Sequence, residues 1–173
     1  FLTFFSIFEY RVQRDGSLRT VNDSSQLTAI RATEAEAMMV IANFEEGNFS
    51  PEIARAVFAD PAAANRLIDN ILSVMRTKGF RALNIDFENL FPEDRDRYTA
   101  FLREVTDRLH REGYLVSTAL APKTSATQKG SWYEGHDYGA HGAIVDFVII
   151  MTYEWGWSGG PPMAVAPIPQ VRA

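Results

Sequence analysis

Residues Ala82–Glu88, which read Ala-Leu-Asn-Ile-Asp-Phe-Glu, are the feature that most limits what this chain can fold into. Apolar and polar side chains alternate along the segment, which is the pattern of a β-strand. Asn84, Asp86 and Glu88 are then expected on one face, about 6.6 Å apart along the strand. Helical patterns precede and follow the segment, so both faces should be covered. Because a buried row of carboxylates is costly unless it is paired or used, we interpret this row as functional.

The rest of the chain alternates between strand-like and helical patterns. Strands are predicted over Leu2–Val12, Met38–Asn43, Ala82–Glu88, Tyr114–Leu120 and Val145–Tyr153. Helices are predicted from Ser50–Pro51, from Asp60–Pro61 to a stop at Gly79, and over about Glu93–Arg111, while Asp23–Glu36 is weakly helical. The segment Trp155–Pro169 is rich in glycine and proline and is expected to be a loop.

Strands that alternate with helices at this spacing indicate an α/β fold with a parallel sheet. A doubly wound open sheet and part of a (β/α)8 TIM barrel both fit that order. The open nucleotide-binding fold needs a glycine-rich turn after an early strand, and none is present. Polar residues instead follow the strand ends, where barrels carry catalytic groups. These residues are Asn43, Glu45, Asp86, Glu88, Pro122, Lys123, Tyr153 and Glu154. The barrel is therefore favoured, and because a whole barrel needs ~250 residues, the five strands predict a partial one.

Composition excludes several classes of function. The net charge of −5 leaves no basic surface for nucleic acid, and the absence of cysteine excludes disulfides and thiolate metal sites. No stretch of ~20 apolar residues is present to span a membrane. His110, His136 and His141 share no metal-ligand spacing, so we expect exposed or helix-capping histidines and no metal or cofactor.

The segment Asn84–Glu88 resembles the catalytic strand of the chitinase-like glycoside hydrolases, family eighteen, whose pattern is Asp-x-x-Asp-x-Asp-x-Glu. Asp86 and Glu88 match its last two acidic positions. Asn84 stands where the middle aspartate is usual, and Arg81 stands where the first would be.

Three further segments resemble the spore cortex-lytic branch of that family: Asn43–Gly47, Leu115–Lys123 and Met151–Pro162. The resemblance implies that residues 1–173 form a catalytic domain fragment covering about strands 2 to 6 of a barrel, without the first and last strands. Leu2–Val12 and Val145–Met151 are then expected at opposite, unpaired edges of a curved sheet. Asp86 and Glu88 are expected on its concave side.

The resemblance also implies roles for individual residues. Glu88 is the expected general acid, Asp86 orients the substrate's acetamido group, and Tyr153 donates a hydrogen bond to that group. The acetamido group is itself the nucleophile in this family. The expected substrate-binding residues are Asn84, Glu154, Trp155 and Trp157, with Asn84 acting mainly through Asp86. Trp132 could equally stack on a sugar ring or pack within the protein.

The implied function is retaining, substrate-assisted hydrolysis of β-N-acetylglucosaminyl bonds in bacterial peptidoglycan. The expected partner is a glycan that contains N-acetylglucosamine, at the spore coat or cortex, or in the cell wall, of an endospore-forming bacterium. A chitinase acting on chitin oligomers, a non-hydrolytic sugar-binding domain, and a fragment that is inactive in isolation stay open as alternatives.

Overall fold

The structure is a computed structural model that describes residues 2–19, 21–156 and 159–172. Its elements follow the predicted alternation of strands and helices. In chain order they are β1 (Phe4–Val12), β2 (Leu18–Arg19), α1 (Ser24–Arg31), β3 (Glu36–Ala42), β4 (Phe44–Glu45), β5 (Asn48–Phe49), α2 (Pro51–Ala59), α3 (Pro61–Lys78), β6 (Ala82–Asp86), a 3-10 turn (Pro92–Asp94), α4 (Arg95–His110), β7 (Leu115–Leu120), α5 (Tyr138–Ile144), β8 (Phe147–Ile150) and α6 (Ile168–Val171).

Six of the strands form one sheet in the order β2-β1-β3-β6-β7-β8. The five longer strands run parallel, and the short β2 pairs antiparallel with the end of β1. The predicted parallel α/β sheet is therefore confirmed, with the Asp86 strand, β6, in the middle of the five.

The sheet is strongly curved. Four strand spacings separate β1 from β8, which would place them roughly 19 Å apart in a flat sheet. Phe4 of β1 and Phe147 of β8 nevertheless stack on each other, with ring centroids 5.7 Å apart. The two outer strands therefore face each other across the concave side, as expected of an arc of a barrel.

The convex face of the sheet carries the hydrophobic core. Helix α3 begins where the Asp60 carboxylate accepts a hydrogen bond from the Ala62 N–H at 2.9 Å, and it ends at Gly79 with φ 77°. Its apolar stripe is fully buried against the sheet and comprises Leu67, Ile68, Ile71 and Met75. Helix α4 buries Tyr98, Phe101, Leu102, Val105 and Leu109 in the same way. In the described part of the chain, no helix has the length and apolar character needed to cross a membrane.

Three predictions about the strands are wrong. The strand predicted over Val145–Tyr153 covers only Phe147–Ile150, as β8. Strand β1 was expected to be an unpaired edge, but Leu18 and Arg19 of β2 pair with its last two residues. A short turn at Asp15–Gly16 reverses the chain and makes this pairing possible. Strand β6 was expected to reach Glu88, but it ends at Asp86, so Glu88 lies beyond the ladder.

Several short elements were not predicted. The hairpin β4–β5 follows directly after β3, and α5 occupies part of the polar segment that was expected to be a loop. Two glycines lie within α5, and its first turn depends on Asp137, which accepts a hydrogen bond from the Ala140 N–H at 3.0 Å. The four-residue α6 lies at the end of the glycine- and proline-rich tail.

Candidate active site

The carboxyl ends of the parallel strands bring the candidate residues together at one edge of the sheet. Ala42, the last residue of β3, is in register with Asp86, the last residue of β6. Asn43 therefore lies beside the Phe87–Glu88 segment. Tyr153 comes from the segment that follows β8 at the same edge.

Asp86 and Glu88 form a buried pair of carboxyl groups. Their exposed fractions are 3% and 7%. Burial is the largest cause that raises the pKa of each group above its usual range. The charge of Asp86, a hydrogen bond to Asp86 and the charge of Glu154 raise the pKa of Glu88 further. The same hydrogen bond lowers the pKa of Asp86. Because the pKa of Glu88 is raised to about 8, the pair holds a proton at neutral pH.

The pair leaves one acceptor atom open. Oδ1 of Asp86 is buried and has no hydrogen-bond partner among the described residues. An unpaired buried carboxylate oxygen is costly, so this atom is well suited to accept a hydrogen bond from a bound ligand. Glu9 of β1 adds a further charge that raises the pKa of Asp86.

Asn84 lies two residues before Asp86 on the same strand and is buried. Its Oδ1 accepts a hydrogen bond from the Ser117 hydroxyl of β7 at 2.9 Å. This bond ties the amide to the neighbouring strand, inside the sheet. The predicted action of Asn84 through Asp86 stays a prediction.

The segment after β8 supplies the most exposed candidates. Tyr153 is 42% exposed, and its pKa is raised by partial burial and by the charges of Asp86 and Glu88. Its hydroxyl therefore lies within the field of the carboxyl pair. Glu154 has φ 59°, which is rare for a residue with a side chain, and Trp155 is 40% exposed. Trp157 falls outside the described residues.

A rim of aromatic side chains borders the site on the side of β3. Phe44 and Phe49 of the β4–β5 hairpin meet edge to face at 5.2 Å, and Trp132 meets Phe49 at 6.4 Å. Trp132 remains 46% exposed. It thus packs on one side and offers part of its ring to solvent, and its stacking on a sugar ring stays a prediction.

Two of the three histidines contradict the expectation of exposed or capping side chains. His136 and His141 are 4% and 0% exposed and pack edge-on against Tyr98 of α4. Burial lowers the pKa of His136 to about 4 and that of His141 to about 3, so both rings are neutral at physiological pH. The expectation was wrong because α5 folds this polar segment against α4. His110 is partly exposed and contacts Asp146 at 2.9 Å.

Sequence reasoning gave no functional role to two residues that contact the Asp86–Glu88 segment. Asn43 was noted only as a polar residue at a strand end and as part of the resemblance, although its side chain bonds the Glu88 main chain. His136 bonds the Phe87 carbonyl. Across residues 2–19, 21–156 and 159–172, no cluster of three histidine, aspartate or glutamate side chains is arranged to hold a metal ion.

The raised pKa of Glu88 predicts that Glu88→Gln stabilises the protein at high pH. The folded protein holds the Glu88 proton more tightly than the unfolded chain does, so wild-type stability falls as pH rises above the ordinary value of 4.5. Glutamine does not titrate. In urea unfolding, the free energy of unfolding of the variant should therefore rise relative to that of the wild type by roughly 1–3 kcal/mol between about pH 5 and pH 9. An unchanged difference in the free energy of unfolding over that range would contradict the buried proton.

Comparisons with known proteins identify similar sequences and structures. The family described as "Glycosyl hydrolases family 18" matches residues 1–169. The "Cortical fragment-lytic enzyme" of Bacillus subtilis (strain 168) is 49% identical over 172 residues, which are 99% of this chain and 40% of that protein. The "Putative sporulation-specific glycosylase YdhD" of the same strain is 37% identical over 168 residues, or 96% of this chain and 40% of that protein.

Solved structures give the same result. The spore cortex-lytic enzyme SleL of Bacillus megaterium QM B1551 superposes with a TM-score of 0.92 at 44% identity, over 99% of this chain and 39% of that one. A chitinase from Chromobacterium violaceum ATCC 12472 shares the fold at 21% identity, with a TM-score of 0.86 over 98% of this chain and 54% of that one. The chain spans about 40% of the length of its curated relatives. The predicted resemblance and the barrel-type fold are confirmed.

Proposed function

This chain belongs to glycosyl hydrolase family 18, and from that membership we propose that it carries the catalytic acid of an enzyme that hydrolyses β-N-acetylglucosaminyl bonds in bacterial peptidoglycan. The observation that carries the proposal is the buried Asp86–Glu88 pair, which holds a proton beside an open acceptor atom. A carboxyl group protonated at neutral pH is what general acid catalysis of glycoside cleavage needs.

In the first step Glu88 donates its proton to the glycosidic oxygen, and the bond between that oxygen and the anomeric carbon breaks. The carbonyl oxygen of the substrate's own 2-acetamido group attacks the anomeric carbon from the opposite face and forms a cyclic oxazolinium ion. Family 18 is an exception among glycosidases in using the substrate in this way. No second carboxylate nucleophile is then required.

Asp86 and Tyr153 act on the acetamido group in this proposal. The open Oδ1 of Asp86 accepts a hydrogen bond from the acetamido N–H and stabilises the positive charge that develops on it. The Tyr153 hydroxyl, which lies in the field of the carboxyl pair, donates to the acetamido carbonyl. Both contacts hold the carbonyl oxygen in line for attack.

In the second step water attacks the anomeric carbon of the oxazolinium ion. The Glu88 carboxylate, having lost its proton in the first step, removes a proton from that water. The acetamido group is restored, and the product keeps the β configuration because the anomeric carbon has been inverted twice. Glu88 ends the cycle protonated, which again requires its raised pKa.

Sugar-binding positions are proposed along the rim of the site. Trp155 and Trp132 expose part of their rings at this edge, and a flat apolar face can stack on a pyranose ring. Glu154 is exposed and can accept hydrogen bonds from sugar hydroxyls. Trp157 retains its proposed role from the sequence. Asn84 contributes through Asp86.

We propose spore cortex peptidoglycan as the substrate because the relatives include a cortical fragment-lytic enzyme and a spore cortex-lytic enzyme. The place of action is then the spore or cell wall of an endospore-forming bacterium. The test is to incubate a longer natural protein that contains this chain with purified cortex fragments and with chitin oligomers. Faster release of products from chitin would favour a chitinase, and binding of either glycan without hydrolysis would favour a sugar-binding domain.

Tyr153→Phe is expected to lower turnover about 10-fold or more while changing the Michaelis constant little. The lost hydrogen bond strengthens as the acetamide attacks, so its loss falls mainly on the transition state. Steady-state kinetics on a chromogenic N-acetylglucosaminide provide the measurement. An equal loss of turnover and affinity would indicate that Tyr153 only binds the sugar.

A further inference from the structure

The catalytic segment leaves the sheet after Asp86, so Phe87 and Glu88 lie beyond the end of the strand. The pairing of β6 with β3 ends at Asp86, and its pairing with β7 ends at Ile85. The Phe87 carbonyl and the Glu88 N–H and carbonyl make no hydrogen bond to another main-chain group among the described residues, although both residues are buried. Buried backbone groups nearly always have partners. Side chains from two other parts of the chain supply them.

Asn43 holds the Glu88 main chain on one side. Its side chain is fully buried, and its Oδ1 accepts a hydrogen bond from the Glu88 N–H at 3.0 Å. Its Nδ2 donates to the Glu88 carbonyl at 3.0 Å and to the Ser50 carbonyl at 2.9 Å. The amide thus replaces both ladder bonds that a neighbouring strand residue would make. It also ties Glu88 to the start of α2.

His136 holds the carbonyl of Phe87, the residue before Glu88, on the other side. Its Nε2 lies 2.7 Å from the Phe87 carbonyl oxygen. A carbonyl can only accept, so Nε2 carries the hydrogen and the ring is the Nε2–H tautomer. The ring packs edge-on against Tyr98, which itself stacks on the Phe87 ring. The contact with Tyr98 therefore helps to fix the position of the donor.

We propose that Asn43 and His136 are positioning residues that clamp the Phe87–Glu88 main chain and so keep the Glu88 carboxyl against Asp86. Held by its backbone alone beyond the end of a strand, Glu88 could move away from Asp86 and from the glycosidic oxygen. A displacement of about 1 Å can cost about 10²-fold in rate. The clamp deepens the proposed function, on which its consequence for turnover rests, while its effect on the position of Glu88 can be measured without activity.

The test compares substitutions at two buried histidines of the same cluster. His136→Leu removes the donor with little change in apolar packing, and His136→Gln keeps an N–H donor that can reach the Phe87 carbonyl. His141→Leu is the matched control, because His141 packs on the same Tyr98 but bonds Thr118 rather than the catalytic segment. Asn43→Asp keeps the acceptor for the Glu88 N–H and loses both donors.

The measurements are kinetics and the titration of Glu88, made on the longer natural protein with glutamate labelled by ¹³C and Glu88 assigned by Glu88→Gln. We expect His136→Leu to lower kcat about 10- to 100-fold with a change in KM of about two-fold or less, and to shift the Glu88 pKa downward toward its ordinary value. His136→Gln should recover most of both losses. Asn43→Asp should lower kcat like His136→Leu. His141→Leu should leave both readouts close to those of the wild type.

Each alternative outcome is informative. Unchanged kcat and unchanged Glu88 titration in His136→Leu would overturn the clamp, as would equal losses in His141→Leu. Should His136→Leu fail to fold, the proposal stands or falls with Asn43→Asp and His136→Gln, whose folding is checked by circular dichroism. Should the wild type cleave no N-acetylglucosaminide, the proposed function fails, while the Glu88 titration still decides whether the clamp exists.

Discussion

Glu88→Gln is expected to reduce hydrolysis by about 10²–10⁴-fold while leaving glycan binding nearly intact. The amide has almost the same shape as the carboxyl group, but it has no acidic proton to give to the leaving oxygen. The buried environment that keeps Glu88 protonated tolerates a neutral amide, so the fold should be unaffected or stabilised. Turnover on cortex fragments and calorimetric binding of a GlcNAc oligomer provide the two measurements.

Glu45→Gln is the matched control for this prediction. Glu45 lies at the same edge of the sheet, but it is exposed and pairs with Arg14 at 3.3 Å. Its amide variant should keep wild-type turnover. If Glu88→Gln retains more than about a tenth of the turnover, another group is the acid and the assignment is wrong.

The second large effect concerns the substrate. A β-glucoside that lacks the 2-acetamido group should not be cleaved at a measurable rate, because the group that attacks the anomeric carbon is missing. The corresponding N-acetylglucosaminide with the same leaving group should be cleaved. A thiazoline that mimics the cyclic intermediate should inhibit competitively.

Asp86→Asn tests the same step from the side of the protein. The substitution removes the charge that supports the acetamido N–H, so turnover should fall by about 10²-fold or more. It should also lower the pKa of Glu88, since the charge of Asp86 raises that pKa. Mass spectrometric detection of a glycosyl ester on Asp86 or Glu88 would contradict the mechanism, because it would identify a protein nucleophile.

Much of the fold followed from local patterns. The alternation over Ala82–Glu88 predicted a strand with buried carboxylates; the strand covers Ala82–Asp86, and both Asp86 and Glu88 are buried. The periodic helices α3 and α4 were predicted within a few residues. Long periodic segments carry this information because their buried faces repeat many times along the chain.

The remainder depended on contacts between distant parts of the chain. The clamp joins Asn43 to Glu88 across 45 positions and His136 to Phe87 across 49. Its geometry follows from the register of β3 against β6 and from the docking of α5, neither of which a local pattern specifies. For the same reason the sequence predicts exposed histidines in this polar segment, although Tyr98 and Thr118 create a buried site for them.

The identity of the new reducing end is the most direct test of the proposed activity. Cortex glycan digested with a longer natural protein that contains this chain is reduced with borohydride, and the reduced fragments are analysed by mass spectrometry for the sugar alcohol at their new end. Cleavage of β-N-acetylglucosaminyl bonds by Glu88 predicts N-acetylglucosaminitol in the wild-type digest and none above background in Glu88→Gln. Muramitol as the new end, or N-acetylglucosaminitol released equally by both proteins, would contradict it.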